Sequence, residues 1–129
     1  MSVDDLLAAA RARLERVGPD EAREAVERDG ALLIDIRADS QRAADGVVPQ
    51  AHFVPRNVLE WRLDPGSDHR DPELADPEAR VIVMCDEGYQ SSLAAATLQE
   101  LGIARATDLD GGFQAWLAAG HPVEPWNGE

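Results

Sequence analysis

Apolar residues fall at Val3, Leu6, Leu7, Ala10, Leu14 and Val17, a three-and-four spacing that predicts a helix over 3–17 with one apolar stripe. Ser2 stands where a capping oxygen is wanted, and Asp4 and Asp5 fall in the first turn, where the positive end of a helix favours them. Gly18-Pro19 stops that helix and opens a second one over 19–28. After Asp29-Gly30 the pattern changes. Ala31-Leu32-Leu33-Ile34-Asp35-Ile36 is a short, nearly continuous apolar run bounded by turn residues, and Val81-Ile82-Val83-Met84 is another. Both read as strands buried on two faces. Residues 51–54 and 106–109 are weaker strand candidates. Helical spacing returns over 57–63, where it presents Trp61. It recurs from Ser91 through Leu93, Ala94, Thr97, Leu98 and Leu101 to Gly102, and again through Phe113 and Trp116 to Gly120 and Pro122. The Asp-, Pro- and Gly-rich stretch 64–79 reads as a surface loop. Strands alternating with helices predict an α/β domain: a central parallel sheet of about five strands with helices on both faces, plus an extra N-terminal helix.

Length agrees with one core: 129 residues suit a single domain. We expect an N-terminal helical extension over 1–18, the domain proper over 19–125 and a tail over 126–129. Charge narrows the partners. Twelve cations, all Arg, face 25 Asp and Glu, for a net charge of −13. That balance argues against nucleic acid and against anionic membrane surfaces, both of which need basic patches. No apolar run approaches the roughly 20 residues that span a bilayer, and the first residues lack a basic stretch ahead of an apolar one, so a cytoplasmic protein is expected. One Cys excludes an internal disulfide. His52, His69 and His121 are scattered, which predicts no metal site, and no cofactor is implied.

The candidate chemistry sits after the 81–84 strand. Functional groups of parallel sheets gather at the carboxyl ends of strands, and Cys85 holds that position. If Asp86, Glu87, Gly88, Tyr89, Gln90 and Ser91 wrap into a tight arc, their N–H groups converge above the sulfur. The helix that Ser91 opens would add the donors of its first turn. Gly88 can supply a positive φ, and Ser91 and Ser92 can cap the helix. Such an arc is an anion hole around a thiolate nucleophile. The simpler reading of a Cys ending an apolar strand is a small buried hydrophobe.

Several segments together resemble the rhodanese-like domain, a sulfurtransferase fold with a persulfide-forming Cys, over roughly residues 19–123. They are Leu33-Ile34-Asp35-Ile36-Arg37; Gly46-Val47-Val48-Pro49-Gln50-Ala51; Val81 through Ser92; Gly111-Gly112-Phe113-Gln114-Ala115-Trp116; and Gly120-His121-Pro122-Val123. The resemblance implies that Cys85 accepts sulfur and that the amides of Asp86 to Ser91 hold the persulfide. It makes Asp35 and Arg37 supporting residues near strand ends, and gives Gly111, Gly112 and Trp116 packing roles. It also implies a small sulfur donor and a thiol acceptor, or a protein persulfide partner. With one Cys in the chain, the acceptor must be external.

The departures bear on the donor. Many members of that family carry Arg or Lys within the loop, where this chain has Asp86 and Glu87, with Gln90 where many have Arg. A carboxylate about 7 Å from the sulfur opposes an anion by roughly 0.6 to 2.4 kcal/mol. Residues 81–129 hold seven Asp or Glu against Arg105 alone, whereas residues 31–63 hold four of each. Arg37, Arg42, Arg56 and Arg62 are therefore the expected sources of positive charge, and Arg56, beside a strand end, is the preferred anion contact, with Arg37 second. Thiosulfate is expected to be a poor donor, and neutral or protein-borne persulfides better ones. Phosphatases sharing the fold need one more loop residue and an Arg at the sixth position after Cys, and here position 91 is Ser. From a different class, a weakly catalytic binding or persulfide-sensing module would use the acidic entrance for a basic partner. The stripe of 3–17 must be covered by its own domain or by a second copy, the latter making a homodimer. Tyr89, beside the nucleophile, is placed to gate access, and Trp61 and Trp126 are candidates for pocket walls.

Overall fold

In the computed structural model, which describes residues 1–128, two apolar runs lie at the centre of the sheet because neither leaves a face for water. Strand β1 (Leu32–Asp35) and strand β3 (Val81–Met84) pair in parallel, Leu32 beside Val81 and Asp35 beside Met84. β2 (His52–Phe53) joins the free edge of β1, and β4 (Thr107–Asp108) joins that of β3, giving the order β2-β1-β3-β4, all parallel. The described residues thus form four strands rather than five. Val17 makes a single parallel bridge to Leu109 where a fifth strand would lie.

Alternation along the strands divides the core. Ile34, Val81, Val83 and Cys85 face one layer, with Leu59 and Leu63 of α4 (Leu59–Leu63) and Ala94, Ala95 and Leu98 of α5 (Gln90–Glu100). Leu33, Ile82 and Met84 face the other, with Ala22 and Ala25 of α2 (Pro19–Asp29) and Phe113 and Trp116 of α6 (Gly112–Ala118). A parallel sheet covered on both faces is the expected arrangement for such runs. The sequence pattern misses α3 (Asp39–Asp45), whose one buried side chain is Arg42. It carries no apolar stripe to betray it.

The first helix differs from its prediction. α1 is Val3–Arg11, not 3–17, and Ser2 caps it reciprocally with Asp5. Beyond it the chain turns at 12–13, and Val17 exchanges backbone hydrogen bonds with the end of β4 and the residues that follow: its N–H donates to the Asp108 carbonyl and its carbonyl accepts from Asp110. The apolar residues at 14 and 17 match a helical stripe by spacing, yet they part: Val17 is buried at the sheet edge, and Leu14 is half-buried against the layer of α4 and α5. α1 packs on α5 of its own chain, with Ala10 buried and Val3 and Leu6 exposed. Among the described residues no helix is long and apolar enough to cross a membrane. Residue 129 of the expected tail lies outside the described residues.

Candidate functional site

Cys85 follows the last residue of β3, 2% exposed, and its Sγ accepts a hydrogen bond from the Gly88 N–H at 3.1 Å. Gly88 has φ +88°, the left-handed region that favours glycine. The loop between them is shaped by what holds its carbonyls. The Cys85 oxygen accepts from the Phe113 N–H at 2.9 Å, and the Asp86 oxygen from the Gln114 N–H at 3.0 Å. These donors belong to the first turn of α6, whose free N–H groups need acceptors. On the other side, the Gly88 oxygen accepts from Arg11 Nη2 at 2.8 Å and Arg16 Nη2 at 2.9 Å. A trans peptide sets each carbonyl opposite the N–H that follows it. Carbonyls so held turn the N–H groups of Asp86 and Glu87 away from α6, and that of Tyr89 away from Arg11 and Arg16. The donor that meets the sulfur is the Gly88 N–H.

Behind the loop lies Asp108, fully buried at the end of β4. It accepts from Ser91 Oγ at 2.7 Å, Ser92 Oγ at 2.8 Å and Arg16 Nε at 2.9 Å. The two serines thus do not cap α5, whose N-cap position is Tyr89 with no side-chain cap; their hydroxyls anchor the start of the helix to β4. Arg16 also pairs with Asp110 at 3.1 Å. Burial works to lower the Arg16 pKa, but the hydrogen bond and charge of Asp108, with the charges of Asp110 and Cys85, leave it raised.

The remaining candidates fall in several places. Asp86 turns its carboxylate to the Gln114 side-chain amide at 3.0 Å, away from the sulfur, and Glu87 and Tyr89 are exposed. The Arg11 guanidinium lies over the Tyr89 ring, 5.6 Å from its centroid. Arg37 is buried, forked onto Asp35 at 3.1 and 3.0 Å, bonded to the Gly46 oxygen at 2.8 Å and stacked on Phe113 at 3.7 Å. Arg56 reaches a cavity of about 600 Å³ beside the loop, shared with Ile36, Arg37, Phe53, Pro55 and Gln90. Its Nη1 is held by both Glu60 oxygens, at 2.9 and 3.0 Å. Arg42 sits between Phe53 and Trp126 and pairs with Asp35 at 3.5 Å, while Arg62 pairs with Asp71 at 3.6 Å. Trp126 lines a cavity with Arg42, whereas Trp61 is 57% exposed. His121 bonds Asp20 and Arg23, and among the described residues no cluster of His, Cys, Asp or Glu could hold a metal.

The expected cations Arg37 and Arg56 line the cavity beside the loop, while the guanidiniums bonded to the loop backbone are those of Arg11 and Arg16, outside the middle segment. In sequence these look like the solvated face of a helix, and 72 or more residues separate them from Gly88. Asp108 carried the better signal: an acid inside the apolar pattern Ala106-Thr107-Asp108-Leu109 needs a partner if it is buried.

Comparison with known proteins agrees with this geometry. The rhodanese-like domain model matches residues 18–119. Thiosulfate sulfurtransferase GlpE of Actinobacillus pleuropneumoniae is 36% identical over 108 residues, covering 84% of this chain and 91% of that protein. Among solved structures, a Rhodopseudomonas palustris protein of unknown function, described as a possible tyrosine phosphatase, superposes with TM-score 0.87 at 28% identity, covering 96% of this chain and 95% of its own. The polysulfide-sulfur transferase homodimer of Wolinella succinogenes gives 0.69 at 29% identity, covering 95% of this chain and 87% of its own.

Proposed function

The chain belongs to the rhodanese-like family of sulfurtransferases, and from that premise we propose that it carries sulfane sulfur as a persulfide on Cys85. The observation that carries the reading is the Gly88 N–H on Sγ at 3.1 Å, within a loop whose carbonyls are clamped outward. Donors fixed in advance stabilise negative charge on a thiolate or on a terminal persulfide sulfur without reorganising at the moment of reaction. In the first half-reaction the Cys85 thiolate attacks the terminal sulfur of a donor persulfide. The donor S–S bond breaks, and the donor leaves as its thiolate. In the second, an acceptor thiolate attacks the outer sulfur of Cys85–S–SH, takes the S–H unit and returns Cys85 as thiolate. With thiosulfate as donor the leaving group is sulfite. The acceptor is external, because the chain offers no second Cys.

The donor this site favours is an organic persulfide rather than thiosulfate. The cavity beside the loop has apolar walls from Ile36, Phe53 and Pro55, and its two arginines are already neutralised, Arg37 by Asp35 and Arg56 by Glu60. A small dianion finds no uncommitted cation on that side, while an organic persulfide has surface to bury. A phosphatase reading finds less support. At position 91, where a phosphoryl-binding guanidinium would be needed, Ser91 holds Asp108.

Intact-mass spectrometry after exposure to glutathione persulfide or to thiosulfate tests both levels. The expected result is a gain of one sulfur atom, faster with the organic donor and absent in Cys85→Ser. No adduct from either donor overturns the transfer reading and leaves a binding or sensing module. Equal rates from both donors overturn the donor preference alone.

A further inference from the structure

We infer that the segment ahead of the family domain is part of the catalytic apparatus, with Arg11 and Arg16 as positioning residues that hold the Gly88–Tyr89 peptide, next in the chain to the Gly88 N–H that meets the sulfur. The inference rests on the reading of Cys85 as nucleophile and adds to it what keeps the loop competent.

The two guanidiniums converge on one acceptor, the Gly88 carbonyl, at 2.8 and 2.9 Å. Two like charges on a single oxygen repel each other, so each must be held from elsewhere. Arg16 is held by Asp108 through Nε at 2.9 Å and Nη2 at 3.2 Å, and by Asp110 at 3.1 Å. Arg11 is held by Ser92 Oγ at 3.1 Å, and that hydroxyl itself donates to Asp108. Asp108 thus compensates Arg16 directly, reaches Arg11 through the Ser92 hydroxyl, and through Ser91 and Ser92 ties both to the start of α5. The linkage closes on the loop: β4 to Arg16 to the Gly88 oxygen, and β4 to Ser92 to Arg11 to the same oxygen.

That oxygen decides what the loop presents. With the Gly88 carbonyl pulled toward Arg11 and Arg16, the N–H of Tyr89 points the opposite way, and the backbone is fixed directly after the Gly88 N–H that meets Sγ. Release of the carbonyl would let the Gly88–Tyr89 peptide rotate, because a glycine at φ +88° meets little resistance to changing its torsions. The donors would then scatter. Arg16 acts electrostatically too: the Cys85 charge is among those that raise its pKa. Both residues lie outside the 18–119 span that matches the family model.

Four variants test the assignment: Arg11→Gln, Arg16→Lys, Arg16→Gln and, as control, Arg13→Gln. Arg13 lies in the same segment but bonds the Ala96 oxygen and Glu100, away from the loop. Each is assayed for melting temperature, for the rate of Cys85 alkylation by iodoacetamide across pH, and for donor KM and kcat. Arg11→Gln and Arg16→Lys are expected to melt near the wild-type temperature, to alkylate at least fivefold more slowly at neutral pH, and to lose kcat about tenfold with donor KM within twofold. The Gly88 amide resonance is expected to shift in both and to stay in Arg13→Gln. Arg16→Gln leaves Asp108 short of its cation, so it is expected to melt lower as well; should it fail to fold, Arg11→Gln decides. Wild-type alkylation and kcat in folded Arg11→Gln and Arg16→Lys overturn the inference, as does an equal loss in Arg13→Gln. If the wild-type protein takes up no sulfur yet the arginine variants still slow alkylation, the positioning role stands and the transfer reading falls.

Discussion

At Gly112 an added Cβ would lie 2.6 Å from both the Cys85 and the Asp86 carbonyl oxygens, and the backbone has φ +61°. Both obstacles have one origin. α6 can donate its first N–H groups to the loop only if its own start comes against the loop backbone. Gly112→Ala is therefore expected to destabilise by about 2 to 4 kcal/mol and to slow sulfur uptake more than tenfold, measured by denaturant melts and single-turnover mass spectrometry. The signature Gly111-Gly112-Phe113 was legible in the sequence as packing. Its second role, turning loop peptides by their carbonyls, needs the two chain segments side by side. Glu60 is the opposite case, an acid that subtracts. Replacing it by Gln frees Arg56 at the cavity wall and is expected to raise thiosulfate kcat/KM about three- to fivefold, roughly 0.7 to 1 kcal/mol for a partly exposed charge. Steady-state rates with thiosulfate and an organic persulfide check this, the latter changing little.

Among the elements, α1 is the one whose first turn is pH-dependent in a known direction. The Ser2 backbone N–H first, and the Ser2 hydroxyl second, hold the Asp5 carboxylate below its ordinary 3.8. A lowered folded-state pKa adds stability that is fully present above 3.8 and is lost as pH falls through the lower folded value. Hydrogen exchange in the first turn of α1 is expected to accelerate, relative to the core, on going from pH 5 to pH 3, and Asp5→Asn to flatten that dependence. The strands β1 and β3 were legible because continuous apolar runs this short have few alternatives. The end of α1 was not. Val17 satisfies a helical period and a sheet-edge contact equally well, and only its pairing with Leu109 separates them. The misplacing of Arg16 followed from that error. Read on a helix face it belongs to water; carried past the end of α1 toward β4, it reaches Asp108.

For the whole molecule, the net charge of −13 sets a field that small anionic donors must cross. Screening weakens that field, with a Debye length near 10 Å at about 0.1 M salt. Between about 20 and 200 mM NaCl, kcat/KM for thiosulfate is expected to rise several-fold, while that for an uncharged organic persulfide stays flat. A fall for thiosulfate would mean that the local arginines outweigh the global charge. The −13 was legible at once. How far it is felt at Cys85 was not, because Asp86 turns to Gln114 and two arginines stand behind the loop, arrangements that composition cannot carry.

The clamps on the Cys85 loop come from both ends of the chain, residues 11 and 16 on one side and residues 108 to 114 on the other. A ribosome adding roughly 5 to 20 residues per second leaves about one to six seconds between the making of Cys85 and that of Gln114. During that interval the loop has no strand β4 to receive Arg16 and no α6 to hold its carbonyls. The loop around Cys85 is therefore completed only after synthesis has passed residue 114.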